Sequence, residues 1–111
     1  IARNATALGV PRLAVVEGRA PEALAGLPRP DAIFVGGGAT RPGVIDLALA
    51  QQATLVVHGV TLQTETLLAG LYSEHGGELI RLQVEQAAPV GSFTGWTPAR
   101  TITQWTWRPE L

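Results

Sequence analysis

Lysine, cysteine and methionine are all absent from this chain, and the first two absences close whole routes to function. Without cysteine there can be no disulfide, no thiolate nucleophile and none of the usual structural zinc sites, so no metal is expected. The same absence fits a cytoplasmic protein. Without lysine there is no Walker A phosphate loop and no Schiff-base chemistry, and every basic residue is arginine. Serine and histidine are scarce as well, at two residues each, and Gly91-Ser92-Phe93-Thr94-Gly95 lacks the spacing of a nucleophile elbow. A hydrolase triad is not expected. No apolar run approaches the roughly 20 residues of a membrane span, and no basic segment leads into an apolar core as in a secretory signal. The eight arginines are scattered from Arg3 to Arg108 and the net charge is −1. Nucleic acid is therefore not an expected partner, because phosphate binding needs clustered cations.

What is present is a compact, rather oily composition, 46% hydrophobic and 15% charged, in 111 residues that suffice for one core. Three short apolar runs each stop at glycine. Leu13-Ala14-Val15-Val16 ends at Glu17-Gly18, Ala32-Ile33-Phe34-Val35 at Gly36-Gly37-Gly38, and Leu55-Val56-Val57 at His58-Gly59. Continuous runs of this length suit strands buried on both faces of a parallel sheet. A bare backbone at each exit admits a tight turn or a ligand, and ligands of open α/β sheets sit at those carboxyl ends.

Along the chain, Ile1 to Gly9 reads as the last two turns of a helix, so the chain is expected to be a carboxyl-terminal fragment of a larger protein. A first strand is expected over Arg12 to Val16 and a short helix from Pro21, ending by Gly26-Leu27-Pro28. A second strand follows Asp31, and a helix runs from Val44 to near Gln52. A third strand starts at Thr54, and a helix spans roughly Thr64 to His75, burying Leu67, Leu68, Leu71 and Tyr72 before Gly76-Gly77 stops it. This alternation predicts parallel strands joined by right-handed crossovers. The period then changes to two. Ile80, Leu82 and Val84 alternate with Arg81, Gln83 and Glu85, and from Arg100 to Arg108 one face carries Thr101, Thr103, Trp105 and Trp107. Between them, Ala87 to Ala99 reads as a long loop of the kind that carries function. The fold class is thus α/β, in a single domain over residues 1–111, with parallel strands closed by an antiparallel hairpin.

That closing hairpin, together with several local words, resembles the class I S-adenosylmethionine-dependent methyltransferases. Within them the chain is similar to the decarboxylating, carbon-15-methylating half of the precorrin-6Y C(5,15)-methyltransferase family. The words are Asn4-Ala5 with Leu8-Gly9-Val10, Glu17-Gly18-Arg19-Ala20-Pro21, Pro30-Asp31 through Gly38, Val60-Thr61-Leu62 leading to Glu65, and His75-Gly76-Gly77. The resemblance covers nearly the whole chain and is most specific from Asp31 to Gly38. It departs from the family at Arg19, where an acidic residue is usual, and at His58, where asparagine is. It implies a Rossmann-like sheet of seven strands, of which this chain would hold the last five. It also implies S-adenosyl-L-methionine as cofactor, S-adenosyl-L-homocysteine as product, a precorrin tetrapyrrole as substrate, and a place in cobalamin biosynthesis. A homo-oligomer is expected, with a second methyltransferase domain fused or paired.

On that resemblance, Gly18, Arg19 and Ala20 would offer backbone groups to the adenine edge, with Ala20 small because the base lies against it; taken alone they are an ordinary strand-to-helix turn. Gly36, Gly37 and Gly38 would pass the cofactor or substrate close to the backbone. On the substrate side the candidates are His58, Thr61, Arg41, Arg100 and Trp96. His58 is equally well a satisfied polar residue, Thr61 a helix cap and the arginines solvated charges, although arginine also matches the carboxylates of a tetrapyrrole acid. Trp105 and Trp107 are expected to pack the hairpin or a subunit contact, and Glu65 to support its helix. No residue stands out as the catalytic acid or base. A non-catalytic nucleotide-binding or oligomerisation module is the alternative reading.

Overall fold

The sequence builds its core around two elements with the plainest patterns. In the computed structural model, which describes residues 1–109, strand β2 (Thr54–Gly59) buries Leu55, Val57 and Gly59 and leaves Thr54, Val56 and His58 half-buried on its other face. Helix α3 (Leu62–His75) buries Leu68 and Leu71 against it. The cap of α3 is local chemistry: the Thr61 hydroxyl accepts from the Thr64 N–H at 3.2 Å, and Glu65 adds a negative charge to the first turn. Gly76, at φ 75°, ends the helix, its N–H reaching the Tyr72 carbonyl at 2.9 Å.

Four strands form one mixed sheet in the order β1-β2-β6-β3, where β1 is Ala32–Val35, β3 is Glu78–Leu82 and β6 is Ile102–Trp107. β1 runs parallel to β2, while β6 is antiparallel to both β2 and β3. In register, Ile33 faces Leu55 and Leu55 faces Trp107, while Val57 faces Trp105, which faces Leu79. These side chains share the face backed by α3 and by the shorter α2 (Val44–Ala50), whose Val44, Ile45 and Ala48 are buried. Leu55, Val57, Leu68 and Trp105 are fully buried there, each aliphatic side chain contributing about 1.5–3 kcal/mol. Trp105 also satisfies its indole by donating Nε1–H to the Gly76 carbonyl at 2.9 Å.

Several expectations are corrected here. Arg12 to Val16 forms no strand: it is irregular, and Leu13, Val15 and Val16 are about half exposed. A strand exists only with a ladder partner, and among the described residues none lies beside this segment. The sheet accordingly holds four strands rather than five, and its first strand, β1, is an edge rather than a doubly buried strand. The helix after Pro21 is a single 3₁₀ turn, Glu22–Leu24. Tyr72 lies on the outer side of α3 and is exposed. The expected antiparallel closing pair does form, between β3 and β6, and places β6 between β2 and β3. β3 ends at Leu82, and the expected long loop is largely regular: β4 (Glu85–Val90) and β5 (Phe93–Pro98) pair antiparallel in a separate ribbon. Its two-residue turn is Gly91-Ser92, with Gly91 at φ 61°, as primed hairpin turns require. Trp105 and Trp107 do pack the closing pair as expected, Trp105 opposite Leu79 and in the core with Leu68 and Leu71 of α3, the two rings stacked at 6.4 Å. α1 (Ala2–Ala7) forms as expected and buries Ala5. No helix among the described residues is long and apolar enough to cross a membrane.

Candidate functional site

Because β1, β2 and β3 all point the same way, their carboxyl ends share one edge of the sheet, and two grooves open along it. The first, of about 410 Å³, lies at the tip of β1 between the segment 19–24 and the loop leading to α2. Arg19, Ala20, Gly36, Gly37, Gly38 and Arg41 all line it. Residues far apart in the chain are thereby gathered at the strand end where the sequence placed a ligand. The three glycines differ in why they are glycine. Gly38 sits at φ 76°, a conformation that side chains disfavour. At Gly36 a Cβ would press on the Phe34 ring, 3.0 Å away. Gly37 has neither reason: its φ is ordinary and a Cβ there would meet nothing within 4 Å. The protein's own packing does not require a bare backbone at that point.

Gly18 is not part of the lining. It adopts φ 139°, and a Cβ would stand 2.8 Å from the Ala23 Cβ, so turn geometry accounts for it. Arg41 reaches across the groove mouth to Glu22, Nη2 to Oε2 at 3.5 Å. At these exposures the pair is worth at most about 1 kcal/mol and leaves the guanidinium exchangeable.

The second groove, of about 580 Å³, lies where β2 and β3 end and β6 begins. It unites Thr61 and Arg100, two of the expected substrate-side residues, and adds Arg81, Glu65, Gln83 and Thr101. Arg81 points to the same side as α3, where its Nη2 pairs with Glu65 Oε1. Sequence reasoning passed over Arg81 as a solvated position of an alternating strand; the available signal was its place on the same face as Thr103, opposite which it pairs.

His58 and Trp96 belong to neither groove. His58 lies on the sheet face away from the helices, its Nε2 2.7 Å from Gln104 Oε1 and its ring edge-on to Phe34 at 4.9 Å. Trp96 stands on β5, 71% exposed.

The architecture is a mixed-sheet α/β domain with grooves at its strand tips. Two solved structures share it: the carboxyl-terminal domain of precorrin-6Y C5,15-methyltransferase from Rhodobacter capsulatus (TM-score 0.79, 40% identity, covering 94% of this chain and 58% of that one) and a putative precorrin-6Y C5,15-methyltransferase domain from Corynebacterium diphtheriae (TM-score 0.85, 38% identity, 96% and 65%). The chain belongs to the precorrin methyltransferase domain family, whose model matches residues 1–109. Among curated relatives, it is 51% identical over 110 residues to a precorrin-6Y C(5,15)-methyltransferase [decarboxylating] from a Sinorhizobium species. It is 44% identical over 105 residues to the enzyme of the same name from Mycobacterium tuberculosis. The matches cover 96% and 92% of this chain but only 27% and 26% of those proteins, so the chain spans about a quarter of their length.

Proposed function

We propose that this chain is the carboxyl-terminal part of a Rossmann-like, class I methyltransferase domain that methylates carbon-15 of a precorrin and removes carbon dioxide from a ring acetate, in cobalamin biosynthesis. The observation that carries the reading is the first groove, in which Arg19 and Ala20 face Gly36, Gly37 and Gly38 within a precorrin methyltransferase family domain. Its volume falls in the range of about 300–1,000 Å³ usual for small-molecule sites. Its narrow polar content, a small alanine and an unexplained bare Gly37 suit one planar base. S-adenosyl-L-methionine, when bound, supplies a methyl group already activated on sulfonium. The chain's own part is then positional: backbone groups at Arg19 and Ala20 address the adenine edge, and the Gly36–Gly38 backbone admits the ligand. Arg41 offers charge at the mouth. No strong nucleophile is required, in keeping with a chain that lacks lysine and cysteine. The conjugated macrocycle accepts the electron pair left by decarboxylation.

The earlier strands of such a domain would complete the sheet at β1. That edge is open, and Leu13, Val15 and Val16 of the irregular segment after α1 are about half exposed. The remaining length of the relatives leaves room for those strands and for a second methyltransferase domain. Phe93 and Trp96, exposed on the β4–β5 ribbon, support a homo-oligomer.

Calorimetric titration of the intact parent protein with S-adenosyl-L-homocysteine tests the reading. Saturable binding is expected, weakened about tenfold or more by Ala20→Leu, a loss of about 1.4 kcal/mol, with the fold retained. Binding of ATP or NAD in its place, as a nucleotide-binding module would show, discards the methyltransferase; unchanged affinity in Ala20→Leu discards the adenine assignment alone.

A further inference from the structure

We infer that the second groove is a carboxylate site for one acidic arm of the tetrapyrrole, held by Arg81 and Arg100, with Glu65 acting as a built-in competitor for Arg81. The inference rests on the precorrin reading above and assigns residues to its substrate.

The charge in the groove is asymmetric. Two arginines and one glutamate line it, leaving one net positive charge. Among the described residues Arg100 forms no ion pair, while Arg81 is matched by Glu65. That pair is solvent-accessible, with side chains 57% and 38% exposed, so water and salt screen it and a second carboxylate can displace it at little cost. A guanidinium presents a planar fork of donors that takes carboxylates two bonds at a time. Glu65 already engages Arg81 through one such bond, Nη2 to Oε1. An incoming carboxylate can take over that fork or bridge to Arg100, with Gln83 and Thr101 supplying further polar groups at the rim. Thr61 plays no part, because its hydroxyl is committed to capping α3.

Position favours the same ligand as the first groove. Both grooves open at the carboxyl edge of the sheet, the first at β1 and the second at β3, three strand spacings away in the order β1-β2-β6-β3. At about 4.8 Å per spacing the separation is roughly 14 Å. A flat macrocycle with peripheral acid chains can therefore present a ring carbon near the first groove while one arm reaches the second.

The competitor role makes an unusual prediction of sign. Uroporphyrin, a tetrapyrrole with eight carboxylates, serves as the probe, and its octamethyl ester as the uncharged control. Binding to the intact parent protein is read by fluorescence titration. Arg100→Gln and Arg81→Gln should each weaken uroporphyrin binding about tenfold. Glu65→Gln, which frees Arg81, should tighten it several-fold. None of the three should alter ester binding or calorimetric affinity for S-adenosyl-L-homocysteine. All are exposed or half-exposed positions, and thermal midpoints within a few degrees of wild type verify folding. Wild-type affinity in both arginine variants overturns the inference, as does a lack of saturable uroporphyrin binding by the wild type. Weakening by Glu65→Gln overturns the competitor role, since it would mean that Glu65 holds Arg81 in place for the ligand. Failure of the wild type to bind S-adenosyl-L-homocysteine strikes the methyltransferase reading instead, so the two failures are distinguishable.

Discussion

The two faces of the sheet are finished to different degrees. On the helix side, Leu55, Val57, Leu68 and Trp105 are wholly buried, and even the Trp105 indole N–H has its acceptor. On the opposite side and at its margins, Phe34 is 63% exposed, Phe93 80% and Trp96 71%. Val15 and Val16, in the irregular segment after α1, are about half exposed. Exposed apolar surface that extensive marks places where other groups come to rest. The contrast teaches that the buried packing of this chain lies on the helix-backed face, whereas its uncovered apolar surface lies on the other face and on the ribbon.

That division can be broken first at its strongest point. Trp105→Ala should cost about 3–5 kcal/mol in urea unfolding, because it empties the centre of the core; a loss below about 1 kcal/mol would mean that the helix-backed face is not the stabilising one. Gly77→Ala comes next, at about 2–3 kcal/mol: Gly77 sits at φ 88°, and a Cβ there would collide with the Thr106 carbonyl. Thr61→Ala should cost about 1 kcal/mol through the lost cap on α3, measurable as a lower thermal midpoint. The smallest effect is the most discriminating. Phe93→Ser combined with Trp96→Ser should shift monomer stability by no more than about 0.5 kcal/mol, yet lower the assembled mass of the parent protein by light scattering. A large loss of stability with unchanged mass would move the ribbon into the core side of the comparison.

Elements with a local signature were legible from residues alone. β2, α2, α3 and β6 follow their periodicities and caps, and the alternation from Thr101 to Trp107 assigned the faces of β6 correctly. What escaped was non-local. Leu13 to Val16 has the composition of a strand, but composition cannot supply the neighbour that a strand needs. Pro89, Pro98 and two glycines made the β4–β5 ribbon read as loop, although proline is tolerated in a ribbon whose edges are free. Of the site, the rule that ligands gather at carboxyl strand ends pointed to Gly36–Gly38, the family resemblance added Ala20, and the two line one groove. It could not separate Gly18, whose glycine answers to Ala23, from its neighbours. Nor could it find Arg81, since its partner Glu65 lies sixteen residues earlier on a different element.

The insertion of β6 between β2 and β3 has a temporal side. A ribosome delivers β6 after every other described element, yet β3 has no other neighbour in the sheet and the core has no Trp105 until it arrives. The four-stranded sheet is therefore complete only once β6 has joined β3 to β2. A nascent chain stalled before residue 102 would expose Leu55, Val57 and Leu79 to whatever chaperone or neighbour is at hand.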